Sequence, residues 1–318
     1  MMIRSIAVAL VACALSAATA SAQDRVRYGS AIKLSPVFYL PILAAQEKGI
    51  FSKNNVAVEW VPSENGPDMM RNFASGTIDM GSSTGGTDIP AISRGVPAII
   101  TANLQPRDGF AFWVLTNSRF KTPQDLKSAK LGVSRLSGVE HAYGLLAAKQ
   151  LGLSNDIHFI GTGGVRESLA ILVTGSVDGV ILNPQNLIEL KLQGKVRELL
   201  SVASFLPRPW FSYSITTAKA MIERRPEVVA RTLSALFEAN RFIASADGKS
   251  WAIAKMKEMN RYSEEGAQEV YITLNLSPDG KTDKAAVQNA INFMTEYGLM
   301  KAGEAASIDT VYTDRFIR

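Results

Sequence analysis

The chain repeats itself, and the repeat constrains its fold more than any single motif. Lys33-Leu34-Ser35-Pro36-Val37 recurs as Arg135-Leu136-Ser137-Gly138-Val139. Leu43-Ala44-Ala45 followed by Gly49-Ile50 recurs as Leu146-Ala147-Ala148 followed by Gly152-Leu153, and Val58-Glu59-Trp60-Val61 parallels Ile157-His158-Phe159-Ile160. Gly76-Thr77-Ile78-Asp79 parallels Gly175-Ser176-Val177-Asp178. The offset stays between 99 and 103 residues through all four matches, which unrelated apolar fragments would rarely maintain. Two related lobes are therefore expected.

Each lobe reads as α/β. Segments 25–32, 56–61, 99–103, 130–134, 157–160 and 179–182 are short, apolar and rich in β-branched residues, and helical patterns separate them. That alternation implies parallel-dominated sheets flanked by helices, a βαβαβ unit in each half. Lobe one is expected over 23–109 with 211–318, and lobe two over 118–205. The segments 110–117 and 206–210 form the crossover. FAFWVLT (110–116) reads as a strand crossing out and WFSYSITT (210–217) as its return. A helix is expected over 226–245, where Val229, Leu233, Leu236, Phe237 and Ile243 form a stripe after a Pro start. The helices after the return are expected to pack on lobe one. Two lobes joined by two crossing strands form a hinge around a cleft.

The first residues concern the compartment. Arg4, the apolar stretch 6–15 and Ala20-Ser21-Ala22 make a secretory signal peptide, 1–22, cleaved after Ala22. A lipobox reading of Leu10-Val11-Ala12-Cys13 is the weaker alternative, because the core before Cys13 is short. Cleavage leaves 296 of 318 residues, starting at Gln23, and removes the one cysteine. Disulfides, thiolate metal sites and a cysteine nucleophile are then excluded. No cofactor or metal is expected. The formal charge, +5 for the whole chain, is spread without a basic run, so no nucleic-acid partner is expected.

In open parallel sheets ligands bind beyond the carboxyl ends of strands, where loops lead into helix N-termini. That rule nominates 33–38, 63–66, 82–88, 135–140, 161–164 and 183–186. The loop MGSSTGGTDIP (80–90) also carries two catalytic spacings. As a phosphate loop it lacks Lys after Gly86, where Thr87 and Asp88 stand. As a nucleophile elbow it offers Ser83, which would need a histidine base. Only His141 and His158 exist, at the start of a helix and inside a strand, so a secreted serine hydrolase is the minor alternative. The blander reading is a tight turn with Asp88 capping the next helix.

Lys33 and Arg135 occupy equivalent places in the two lobes and could both face a ligand. A charge-assisted hydrogen bond contributes about 1.5 to 3 kcal/mol, and micromolar affinity needs about 8 kcal/mol in all. One basic group, two helix N-termini and some apolar burial would suffice. Phe38, Trp113, Trp210 and Phe211 could form an apolar wall. Glu140 and Asp88, as carboxylates near the cleft, would instead suit an amine or a hydrogen-bonding ring.

The stretch AAQEKGIFSKNNVAVEW, then FASGTIDMG, then Ala91-Ile92-Ser93-Arg94-Gly95-Val96-Pro97, resembles the periplasmic solute-binding proteins of ABC importers for nitrate, sulfonate, taurine and thiamine-precursor pyrimidines, the NMT1/THI5-like family. TPQDLKSAKLGVSRLSG, VTGSVDGVILNP and VYTDRF extend the resemblance over nearly all of the mature chain. It implies a type II two-lobed fold that closes over one small molecule and delivers it to the membrane subunits of a permease, acting as a monomer. By position it places ligand loops on Ser35 and Pro36, on Ser82, Ser83 and Thr84, on Ser137 and Gly138, and on Asn183. The related pyrimidine synthases carry a Cys-rich cluster, which the mature chain lacks, so binding rather than catalysis is expected. The ligand is expected to be a sulfonate, carboxylate or taurine-like anion, or a heteroaromatic ring such as a thiamine-precursor pyrimidine. Glu140 beside the second-lobe loop departs from the sulfonate-binding pattern.

Overall fold

The computed structural model describes residues 23–106, 109–301, 303–304 and 307–317; the expected leader, with Cys13, lies outside them. Among the described residues ten strands run in chain order: β1 (Asp24–Ser30), β2 (Val56–Pro62), β3 (Met80–Thr84), β4 (Ala98–Gln105), β5 (Ala111–Leu115), β6 (Lys130–Val133), β7 (His158–Gly161), β8 (Gly179–Leu182), β9 (Val196–Ser201) and β10 (Tyr213–Ala218). They form two five-stranded mixed sheets, ordered β2-β1-β3-β10-β4 and β7-β6-β8-β5-β9.

The repeat is visible in the pairing. β1 runs parallel to β2 and β3, and β6 runs parallel to β7 and β8. The Arg27 N–H donates to Asp79 Oδ2 at 2.8 Å, and the Lys130 N–H donates to Asp178 Oδ2 at the same 2.8 Å. The step shared by the two copies is thus a carboxylate that ends the loop before the third strand and accepts from a backbone N–H of the first.

The crossing segments do not bridge open space. β5 inserts antiparallel between β8 and β9, and β10 inserts antiparallel between β3 and β4. Each lobe's sheet is therefore completed by the strand that has just arrived from the other lobe. Placing 111–115 within the second sheet departs from the reading of 110–117 as crossover. β9 had no expectation at all, since its sequence VRELLS mimics the charged face of a helix.

The helix expected over 226–245 is Pro226–Ile243. It stops early because Ser245 is the N-cap of the next helix, Ala246–Asn260, its hydroxyl accepting from the Gly248 N–H at 3.1 Å. Val229, Leu233, Leu236, Phe237 and Ile243 are all buried. Each such side chain stabilises by roughly 1.5 to 3 kcal/mol. The helix packs on Pro36–Glu47, which fixes the C-terminal helices to lobe one. Among the described residues no helix is long and apolar enough to cross a membrane.

Candidate ligand-binding site

Four of the nominated loops meet between the two sheets. Gln185 Nε2 donates to Ser35 Oγ at 3.1 Å, joining loops 183–186 and 33–38 across the lobes. Asn183 Nδ2 donates to Tyr213 Oη at 3.0 Å, and the Tyr213 ring lies 5.9 Å from the Phe38 ring. A β-carbon built on Gly86 would stand 3.0 Å from Val139 Cγ2, so glycine lets loops 82–88 and 135–140 approach closely. Thr84, Gly86, Val139, Tyr143, Trp210 and Phe293 line a small cavity at this junction.

Three helices start at these loops. Pro36–Glu47 follows Ser35, Gly85–Ser93 follows Thr84, and Val139–Gln150 follows Gly138. None of the three N-caps accepts a capping bond on its side chain, although the Gly85 N–H donates to the Ser212 carbonyl at 2.7 Å and the Phe38 N–H to the Ser35 carbonyl at 2.9 Å. With about half a positive charge at each N-terminus, the junction favours an anionic or acceptor-rich group. Lys33 and Arg135 are exposed beside it, and their side chains make no hydrogen bond or ion pair among the described residues. Ser137 holds a left-handed backbone at φ 61°, and its N–H donates to His141 Nδ1 at 3.1 Å. That tight turn presents Gly138 at the start of its helix.

Several side chains are placed otherwise than the sequence suggested. Asp88 does not cap its helix and does not face the cleft, because Thr84 is the N-cap and Asp88 is fully buried. Its Oδ2 accepts from Ser214 Oγ at 2.7 Å and from Thr216 Oγ1 at 2.5 Å. Burial pushes its carboxyl up to about 6, against the opposing pull of those two hydroxyls and of nearby Ser83. Glu140 turns back onto its own lobe, accepting from Ser134 Oγ at 3.0 Å and from the Ser134 N–H at 3.2 Å. Burial raises its pKa, the Ser134 bonds and Arg135 opposing.

Trp113 is core. Its ring packs with Val180, Leu182 and Val196 inside lobe two, and its Nε1 donates to the Leu182 carbonyl at 3.2 Å. Phe211 is also buried, close against Gly85. Of the proposed aromatic wall, Phe38 and Trp210 stand at the junction. Trp210 packs edge-on against Phe293, and its Nε1 is buried without a hydrogen-bond partner.

The elbow reading fails on geometry. Ser83 lies inside β3, fully buried, rather than on an exposed turn. His141 Nδ1 is occupied by the Ser137 N–H, and His158 sits exposed on the edge strand β7. Ser82 is buried too, its Oγ 2.6 Å from Tyr28 Oη. Sequence reasoning passed over Gln185, Tyr213, Tyr143 and Phe110. Gln185 stood inside a nominated loop and Tyr213 inside a recognised strand. Tyr143 stands just over a turn into a nominated helix, a spacing that could have flagged it.

Residues 38–246 match the family described as NMT1/THI5 like. The chain belongs to that family. Within it, this NMT1/THI5-like chain is 32% identical over 142 residues to a Haemophilus influenzae protein provisionally named for thiamine biosynthesis. The match spans 44% of each chain, less than half of that relative. Its fold is similar to that of the periplasmic aliphatic sulphonate binding protein SsuA of Escherichia coli, with a TM-score of 0.78 at 19% identity over 91% of this chain and 92% of that one. The periplasmic nitrate-binding protein NrtA of Synechocystis PCC 6803 gives 0.71 at 14% identity, over 92% and 86%. At those identities the likeness carries the architecture, which is the periplasmic-binding-protein fold expected for the NMT1/THI5-like chain.

Proposed function

We propose that the chain is an exported solute-binding protein of an ABC importer, capturing a small organic solute between its lobes and handing it to membrane permease subunits. The observation that carries this reading is the meeting of three helix N-termini without side-chain caps, with Lys33 and Arg135 unpaired beside them. Such a constellation binds and has no nucleophile-base pair to react with. Ser35, Pro36, Phe38, Thr84, Ser137, Gly138, Asn183 and Trp210 are the proposed contacts, Ser82 and Ser83 supporting them from within β3. The chain works as a monomer in the periplasm after loss of its leader.

An anionic sulfonate or carboxylate suits the basic pair, and the turn of Glu140 toward Ser134 removes the objection that its carboxylate would face that anion. A heteroaromatic ring is the second reading, favoured by the rings of Phe110, Tyr143 and Trp210 near the junction and by the family match. Native mass spectrometry of protein purified from the source periplasm tests both. A co-purified small molecule names the class, while recovery of bare protein with no thermal shift against sulfonates, carboxylates or pyrimidines would refute solute capture.

A further inference from the structure

A second row of bonds joins the lobes, centred on Glu189, just beyond loop 183–186. Glu189 Oε1 accepts from the Ser263 N–H at 2.8 Å and from Ser263 Oγ at 3.0 Å. Ser263 is the N-cap of helix Glu264–Thr273, and its Oγ accepts from the Gly266 N–H at 3.0 Å. The lobe-two carboxylate therefore rests on the positive end of a helix that belongs to lobe one through Ala246–Asn260. On the same face Lys191 Nζ reaches Glu269 Oε2 at 3.2 Å, and Tyr262 Oη donates to the Gln185 carbonyl at 3.0 Å.

Gly266 completes the fit. A β-carbon there would collide with Glu189 Oε1. Its backbone is not left-handed, so nothing in the helix itself calls for glycine, which weakens a helix relative to alanine. The residue makes sense as room for the partner carboxylate. The Lys191 and Glu269 side chains are 47% and 41% exposed, and a pair so wet contributes little. The Glu189 bonds to a backbone N–H and a hydroxyl carry most of the attraction.

The geometry points to an interlobe latch, in which Glu189 seated on the Ser263 cap holds the lobes closed and sets the open-to-closed ratio without touching the solute. It rests on the reading that the lobes open and close about the cleft. Contacts formed only in the closed state shift the equilibrium by their own free energy, and the apparent solute affinity scales with the fraction already competent.

The mature chain has no cysteine, so Lys127→Cys on lobe two and Ser250→Cys on lobe one, both at exposed positions, can carry spin labels. Pulsed electron resonance then reads the interlobe distance in solute-free protein. Glu189→Ala, which loses both charge-assisted hydrogen bonds, and Gly266→Ala, which displaces the carboxylate, should each raise the open-to-closed ratio by at least about tenfold. Glu189→Gln keeps an oxygen acceptor and should fall between. Gly266→Ala should open the lobes while leaving thermal stability unchanged or higher, which general loosening would not do. Distance distributions that superimpose on the wild type in all three variants overturn the latch. Taurine added to the wild type separates the two ideas. A shift with taurine but none with the substitutions removes the latch alone, whereas opening by the substitutions with no shift on addition of taurine, a carboxylate or a pyrimidine removes solute capture and keeps the latch.

Discussion

Thr216 Oγ1 donates to Asp88 Oδ2 at 2.5 Å, tying the helix of the first-lobe loop to the strand that returns from lobe two. Because Asp88 is fully buried, its carboxyl titrates near 6 instead of the ordinary 3.8. Between those values the folded chain holds a proton that the unfolded chain has lost, so stability falls as pH rises from about 4 to about 6 and levels off above. Asp88→Asn keeps an oxygen for Ser214 and Thr216 and removes this slope. Denaturant unfolding at pH 4.5 and 7.5 should show the variant gaining about 2 kcal/mol relative to wild type between the two.

The Arg135 side chain is exposed and makes no hydrogen bond or ion pair among the described residues, acting on the nearby Glu140 carboxylate through charge alone. Arg135→Ala should leave the solute-free melting temperature unchanged and weaken a sulfonate or carboxylate by about tenfold to a hundredfold in calorimetry. Equal affinity in Arg135→Ala and Lys33→Ala would shift recognition to the aromatic groups at the junction.

The Ser83 hydroxyl is buried beside Asp88, whose Oδ2 is held by Ser214 and Thr216 instead. A fluorophosphonate probe should not label the folded protein, and Ser83→Ala should change stability by less than about 1 kcal/mol. Stoichiometric labelling abolished by that substitution would reinstate a hydrolase.

Trp113 belongs to the core of lobe two, and its truncation should show it. Trp113→Ala should cost about 3 to 5 kcal/mol in urea unfolding, with unchanged solute affinity in the fraction that remains folded. A loss of affinity without a loss of stability would return this ring to the cleft.

Export is tested at the N-terminus. Mass spectrometry of the periplasmic form should find Gln23 first, whereas a diacylated Cys13 in the membrane fraction would contradict the cleavage after Ala22.

The sequence by itself determined the duplicated α/β plan, because a repeat of apolar runs must bury equivalent faces twice. It also placed two strand-to-helix transitions, at Ser35-Pro36 and Gly138-Val139, whereas the loop read at 82–88 is strand Met80–Thr84 running straight into helix Gly85–Ser93. The recurrence of Gly76-Thr77-Ile78-Asp79 as Gly175-Ser176-Val177-Asp178 was legible, but that each carboxylate bonds a strand of its own lobe was not. What tertiary structure alone decided is where polar and aromatic side chains near those loops are spent. Asp88 is claimed by Ser214 and Thr216, more than 120 positions away, Trp113 by the Leu182 carbonyl, and Ser35 by Gln185, 150 positions away. No local pattern reports such partners, because each is fixed by which strand inserts into which sheet. β5 and β10 enter as antiparallel neighbours of strands from the opposite half of the chain. The insertion of those two strands, rather than residue type, is what turned the Asp88 carboxylate and the Trp113 ring into core.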